Sequence, residues 1–224
     1  MPEWIENAPA PDALDVAVRA VVDELATEVG QTVPVRTEIS SELSRTGGIA
    51  AYHVEPDKLY LDPALAQGIS DDPGSYYGTG VVLHELGHRA DRKLMLWRLR
   101  SVWWTTYAIA LPMPVLLTIG TWAQQPWAWT AMGVLIALWS IVFLVVRVPL
   151  CWYSEFRADD FCCDVGGIAR AAIVLTVFSE LRLTFGKALA ARLTHPPTSM
   201  RLRRQMRRAG FDMPPRAMRL QPHD

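Results

Sequence analysis

Apolar and polar residues alternate along this 224-residue chain at several periods, and each period predicts a different element. Leu14, Val18, Val21, Val22, Leu25 and Val29 form a helical stripe that stops at Gly30, with Asp12 placed as its N-cap. Residues 33–39, 48–54 and 58–61 are short, rich in β-branched or aromatic side chains and separated by turn formers, which predicts a small antiparallel sheet. Asp71-Asp72-Pro73-Gly74 reads as a loop, and a long helix is expected from Tyr76 through Arg100. Charged positions then vanish: residues 101–146 are 46 consecutive residues without Asp, Glu, Lys or Arg. Beyond them, residues 147–164 and 170–185 read as helices punctuated by Gly166-Gly167 and Gly186, and a last helix, about 198–208, ends before Gly210. Helices outweigh strands and there is no internal repeat, so the predicted class is mainly helical α+β.

The uncharged stretch divides at Gln124-Gln125-Pro126 into residues 103–122 and 127–146, each 20 residues long. As helix each would measure roughly 30 Å, the thickness of a bilayer's hydrocarbon core. Trp103 and Trp104 flank the first span, Trp122, Trp127 and Trp129 crowd the turn, and Trp152 and Tyr153 follow the second. Such rings belong at the headgroup level. Pro112 and Pro114 should kink the first span, which neighbouring helices can tolerate. The alternative is a hairpin buried in a soluble core, but cores seldom need two helices of this length. The expected organisation is therefore residues 1–100 as the first part of a soluble domain, 101–149 as a transmembrane hairpin, and 150–224 as the second part.

Charge supplies an orientation. Arg89, Arg92, Lys93, Arg98 and Arg100 precede the hairpin and Arg147 follows it, while the connecting turn is uncharged. The positive-inside rule then predicts a multi-pass protein of the cell membrane with both soluble flanks and both termini in the cytoplasm. Cys151, Cys162 and Cys163 agree, as reduced thiols of a reducing compartment. Met1–Pro11 is acidic and proline-rich, unlike a signal peptide. The totals alone conceal all this: a net charge of −1 and a mean hydropathy of +0.12 exclude little beyond a dedicated nucleic-acid binder. Residues 1–62 carry 12 acidic and 4 basic side chains, whereas 147–224 carry 7 and 13. Seven arginines fall between Arg201 and Arg219, readable either as a solvated helix face or as a surface for anionic headgroups.

The candidate chemistry lies beside the hairpin. His84-Glu85-Leu86-Gly87-His88 is an H-E-x-x-H sequence on a predicted helix. Positions i and i+4 stand only about 40° apart around the axis, so both imidazoles can share one metal. Glu85, about 100° from His84, can reach a water on that metal without being a ligand. Zn²⁺ brings the pKa of such a water toward neutrality and leaves a carboxylate to take its proton. A catalytic zinc site needs a third protein ligand. Glu155, on the helix directly after the hairpin, is the candidate, because two spans return the chain to the face it left. Asp159, one turn on, is placed to orient a ligand imidazole through its other N–H, leaving Asp160 to solvent. His53 reads as a surface residue, and Cys162-Cys163 as small buried side chains.

HELGH, the downstream Glu155-Phe156-x-Ala158-Asp159 after a hydrophobic hairpin, and Thr194-His195-Pro196-Pro197-x-x-x-Arg201 together resemble the HtpX and CAAX-prenyl-endopeptidase family of membrane zinc metalloproteases. The resemblance covers about residues 80–205. It implies a zincin-like (gluzincin) domain with an inserted transmembrane hairpin and one zinc ion per chain. His84, His88 and Glu155 would be the ligands, Glu85 the general base, and Asp159 the orienting carboxylate. It also implies that His195 and Arg201 line the cleft and help bind the substrate backbone or the developing oxyanion. Larger members carry further spans before HELGH, which this chain lacks. Where the family's edge strand commonly offers Asn, this chain reads Gly47-Gly48-Ile49-Ala50-Ala51, so a peptide would be aligned by backbone hydrogen bonds.

The function expected is hydrolysis of unfolded or membrane-associated polypeptides at the cytoplasmic face, with polypeptide substrate and lipid bilayer as partners and no nucleic acid. A site-two-type intramembrane protease also uses HExxH, but here Arg89, Asp91, Arg92 and Lys93 come directly after the motif and the spans contain no acid. A catalytically silent zinc-binding scaffold is the rival from another class. It has no use for a base at Glu85.

Overall fold

The computed structural model describes residues 11–46, 48–180 and 192–211, and in it the first apolar stripe forms α1 (Pro11–Glu28). Pro11 is itself the first helical residue, in place of Asp12 capping from outside. Proline is well suited there, because its missing N–H would have had no partner in any case. Val18, Val22, Leu25 and Ala26 are buried, and Gly30 ends the stripe in the left-handed region at φ 76°.

Three strands come next: β1 (Arg36–Ile39), β2 (Ala50–His53) and β3 (Lys58–Leu61), in the order β1-β3-β2. β2 and β3 are antiparallel, but β1 and β3 are parallel, so the sheet is mixed and not the antiparallel one expected. The short helix α2 (Ser41–Thr46) turns the chain back after β1, and the hairpin after β2 returns β3 to the middle, alongside β1. Alternation of side chains marks the buried face, here Leu59 and Leu61, and carries no information about strand direction.

α3 (Pro63–Asp71) is capped by the Asp62 carboxylate, which accepts from the Ala64 N–H at 2.8 Å. α4 (Tyr76–Ala90) is the central helix, buried at every position from Gly78 to His88. The single helix expected through Arg100 is in fact two. Asp91 (φ −93°, ψ 30°) separates α4 from α5 (Arg92–Ala110). Its carboxylate receives two hydrogen bonds from Arg157, at 2.7 and 3.1 Å, while Arg89 turns toward Asp57 at 3.0 Å. Long-range pairing thus marks a break where the sequence has neither glycine nor proline.

Leu111 stays helical, its N–H on the Tyr107 carbonyl, and α6 (Pro112–Thr121) continues α5 where proline interrupts the hydrogen-bond ladder. After 122–125 the chain enters α7 (Pro126–Val142), a π-helical turn (Phe143–Arg147) and α8 (Val148–Glu180). Two helices, Arg92–Thr121 and Pro126–Val177, are long and apolar enough to cross a membrane. Large apolar side chains along them are exposed, Leu111 at 72% and Trp104 at 74%, so they are not the helices of a soluble core. α8 leaves helical geometry at Gly167 (φ 79°, ψ 162°), where the glycine pair was expected to punctuate it. α9 (Thr198–Arg208) closes the described chain. The acidic segment 1–10, Gly47, the stretch 181–191 with Phe185 and Gly186, and Arg216 and Arg219 lie outside the described residues.

One core joins α1, the sheet, α3, α4 and α8, through residues such as Val22, Leu61, Ile69, Leu83 and Val174. Glycines set the closest approach within it. A Cβ on Gly80 would stand 2.6 Å from Val174 Cγ2, and one on Gly87 would stand 2.9 Å from the Cα of Ala158. α4 and α8 therefore pack almost backbone to backbone, antiparallel, over the turn that carries Glu155.

Candidate metal centre

Each expected ligand comes from one of those two helices. His84 and His88 project from α4 toward α8, their ring centroids 4.9 Å apart and nearly perpendicular. Glu155 meets them one turn before Ala158 on α8. Its Oε2 lies 3.6 Å from His84 Nε2 and its Oε1 3.4 Å from His88 Nε2. The three residues are buried, with ligand atoms all within 4.8 Å of one another, and could hold a metal ion.

Two observations test whether these residues suit a metal. The nitrogen–oxygen separations are long for hydrogen bonds. They are close to the roughly 3.3 Å between two ligands held at about 2.05 Å around a tetrahedral ion. Glu155 Oε2 is moreover buried without a hydrogen-bond partner among the described residues. The second observation is charge. Glu85, Glu155 and Asp159 are buried carboxylates around one buried guanidinium, Arg201, so with neutral imidazoles two negative charges stay unbalanced. A divalent cation answers that deficit, and burial makes leaving it unanswered costly.

The pKa shifts report the same field. Burial acts to lower His84, yet its interactions with Asp159 and Glu155 prevail and push it up to about 10. Burial acts to raise Glu155, but His84, His88 and Arg201 hold it well below the usual carboxylate range. The site favours positive charge among its carboxylates.

Asp159 is where its expected task requires it: its Oδ1 is 3.1 Å from His84 Nδ1, on the far side of the ring from Glu155. A guanidinium holds that carboxylate in turn. Arg201 donates from Nε to Asp159 Oδ2 at 2.7 Å and from Nη2 to Oδ1 at 2.6 Å, and its Nη1 stands 3.4 Å from Glu155 Oε2. Arg201 is only 3% exposed. The resemblance implies that Arg201 lines the substrate cleft; in the structure it is buried and joined to the Asp159 and Glu155 carboxylates. His195 lies at the surface beside Glu155. Its side chain is 55% exposed, with Nε2 3.6 Å from Glu155 Oε1 and Nδ1 2.8 Å from the Thr194 hydroxyl.

Glu85 faces β2. Its Oε2 accepts the Tyr52 backbone N–H at 2.7 Å, a contact that sequence spacing gave no means of finding. β2 is an edge strand, so its outer rim is turned toward the site. Equally hidden from spacing is the contact of Trp152, whose indole N–H donates to the Arg192 carbonyl at 3.1 Å and ties the segment before His195 to α8. Gly80 and Gly87 were detectable in principle, since residues seven apart lie about 20° apart on one helix face.

The arginines of α9 are largely spoken for. Arg204 and Arg208 bind Asp160, Arg208 also reaches Asp164, and Gln205 donates to Asp160 at 2.8 Å. Asp160, expected to face solvent, is buried in that ladder because α9 lies along α8 at this level. His53 is exposed on β2, and Cys162 is buried, its thiol pushed up to about 12 chiefly by burial. Comparison of the chain with protein-family models, with curated proteins and with solved structures finds no match in any of the three.

Proposed function

We propose that the chain is a membrane-anchored zinc endopeptidase of the kind that the HtpX and CAAX-prenyl-endopeptidase resemblance implies. The observation that carries this is the convergence of His84, His88 and Glu155 from two helices, with Glu85 beside them and not among the ligands. Two imidazoles and a carboxylate, three protein ligands in all, are a donor set that suits catalytic zinc. Zinc held there supplies Lewis acidity and makes water a nucleophile near neutral pH.

This chain's own residues would do the rest. Glu85 is anchored through Oε2 by the Tyr52 N–H, which leaves Oε1 to take a proton from the attacking water and hand it to the leaving amine. The outer rim of β2 offers a peptide an added strand, which sets the scissile bond beside Glu85. His195, at the surface, is within reach of the substrate carbonyl as charge develops on it. Asp159 and Arg201 keep the His84 ring and Glu155 in register. The two uncharged spans, 103–122 and 127–146, with Arg98 and Arg100 before them and Arg147 after, support a cell-membrane protein whose catalytic part faces the cytoplasm.

Cleavage of casein or of unfolded membrane polypeptides by the full chain tests this, with zinc content measured alongside. Glu85→Gln keeps the volume of the side chain and an acceptor for Tyr52 N–H. It should retain zinc and lose about 10²–10⁴-fold in kcat, the usual worth of a general base. A wild-type chain that binds zinc yet shows no Glu85-dependent cleavage would be a scaffold and not a protease.

A further inference from the structure

Arg147 ends the uncharged stretch and closes the π-helical turn between the second apolar helix and the helix that bears Glu155. Among the described residues its guanidinium has no carboxylate. Its Nη1 is buried without a hydrogen-bond partner, and the guanidinium lies over the face of Phe143, 5.7 Å away. Arg89, Arg157, Arg201, Arg204 and Arg208, by contrast, all bind aspartates, while Arg170 lies over Tyr76 and not beside the uncharged stretch. No residue from 101 to 146 could supply an acid to Arg147.

Arg147 also lines a small groove, open on one side, with a volume of about 40 Å³. Ser101 and Thr105 of α5 form one wall, and Trp139, Phe143 and Val146 form the other. The two hydroxyls donate to carbonyls of their own helix, at 2.7 Å for Ser101 and 2.8 Å for Thr105, and a hydroxyl can rotate to donate to an anion instead. The π turn contributes by geometry. One extra residue in a turn rotates the rest of the helix by about 100°, and such turns recur at functional sites.

We infer that this groove binds the phosphate of an anionic phospholipid, an assignment that rests on reading the two apolar helices as membrane spans. Arg147 supplies the charge-assisted donors, Ser101 and Thr105 the neutral ones, and the apolar wall takes the first methylenes of an acyl chain. Charge complementarity selects the occupant: a half-buried cation without a carboxylate, at the end of an acid-free span, meets its nearest anions in the headgroup layer. The ligand therefore sits at the junction through which α7 continues into α8.

The experiment uses the full chain, reconstituted with phosphatidylglycerol or phosphatidylcholine, delipidated in detergent and examined by native mass spectrometry. Wild type should retain a single phosphatidylglycerol, and so should Arg203→Gln, which removes an exposed charge from α9. Arg147→Gln should lower retention about tenfold, the loss expected for one charge-assisted contact. Val146→Trp fills the groove while keeping the charge, and should do the same even if Arg147→Gln fails to fold. Retention by Val146→Trp equal to wild type overturns the inference, as does displacement of the lipid by millimolar inorganic phosphate, which would make free phosphate the ligand. Flotation with liposomes tells the two readings apart. A wild type that does not float defeats the membrane reading itself, whereas one that floats without groove-dependent lipid defeats only this inference.

Discussion

Gly87→Ala is the smallest change that tests how the metal site is assembled. The added Cβ would lie 2.9 Å from Ala158 Cα, 3.0 Å from Ala158 O and 3.1 Å from Phe161 Cβ. Two of those atoms are backbone and cannot rotate aside. Ordinary carbon contacts begin near 3.5–4.0 Å, so α4 and α8 must separate by about 0.7 Å. Overpacking of this kind costs about 1–3 kcal/mol, and the better helix propensity of alanine returns at most about 1 kcal/mol. The net loss of stability is therefore about 0–3 kcal/mol. The effect on the metal is large, because ligand distances tolerate only about 0.2 Å and the separation falls between the histidine helix and the Glu155 helix. Zinc affinity should drop about 10–100-fold, the range seen when supporting residues are removed. Gly68→Ala is the control: a Cβ there meets nothing within 4 Å, so only the propensity gain remains and zinc binding is unchanged. Competition with a chromophoric chelator measures affinity, and thermal unfolding of the same samples measures stability. Wild-type zinc affinity in Gly87→Ala would mean that helix contact at this glycine does not set the ligand spacing.

Arg201→Lys replaces a two-pronged contact with Asp159 by a point charge, so the His84 ring loses its fixed support. Zinc affinity should fall about tenfold, while Arg203→Lys, on the exposed side of α9, leaves it unchanged. Trp152→Phe removes the hydrogen bond to the Arg192 carbonyl and loosens the approach to His195. Zinc content should stay at the wild-type level while kcat/KM falls several-fold, and loss of zinc would refute a role confined to the His195 side. The α8–α9 ladder should respond to acid. Burial acts to raise Asp160, but Arg204, Gln205 and Arg208 prevail and hold it below its usual value. Its stabilising contribution is thus present above the unfolded carboxylate range, near pH 4, and is lost as pH falls through the lower folded value. Hydrogen exchange should show α9 opening before α1 on acidification, and Asp160→Asn should open it already at pH 7. Equal protection of α9 in that variant would show that the ladder does not hold the helix.

The sequence carried much of the site because its ligands obey local periodicity or depend on chain return. His84 and His88 share a helix face by spacing alone, and the uncharged stretch required that the segment after it come back beside them. Glu155 and Asp159, one turn apart, then had to be read as a pair. Strand existence was equally visible, since Lys58–Leu61 alternates cleanly. The features that stayed hidden depend on partners far along the chain. The break at Asp91 is tied to Arg157, 66 residues later, and the anchor of Glu85 is a backbone N–H, which no side-chain pattern encodes. The direction of β1 relative to β3 is settled by how α2 turns the chain, and alternation is blind to it.

Arg201 shows why the role of a residue is harder to read than its place. A basic residue after a His-Pro-Pro turn gives no indication of which way it points, and the α9 stripe of arginines looks the same whether it meets water, lipid or aspartate. The partners decide. Asp159, Asp160 and Asp164 lie on α8 at the spacing that accepts Arg201, Arg204 and Arg208 from α9, so one face of that helix is consumed by the ladder and only the other remains basic. The same contacts separate the ligand geometry from the apolar arms. Gly87 against Ala158, Asp91 against Arg157 and Asp159 against Arg201 all fix α4, α8 and α9 to one another around the candidate ligands. α5 departs beyond Asp91, and α7 arrives before the π turn. The contacts that hold the three candidate ligands together are thus made among α4, α8 and α9, and neither α6 nor α7 takes part in them.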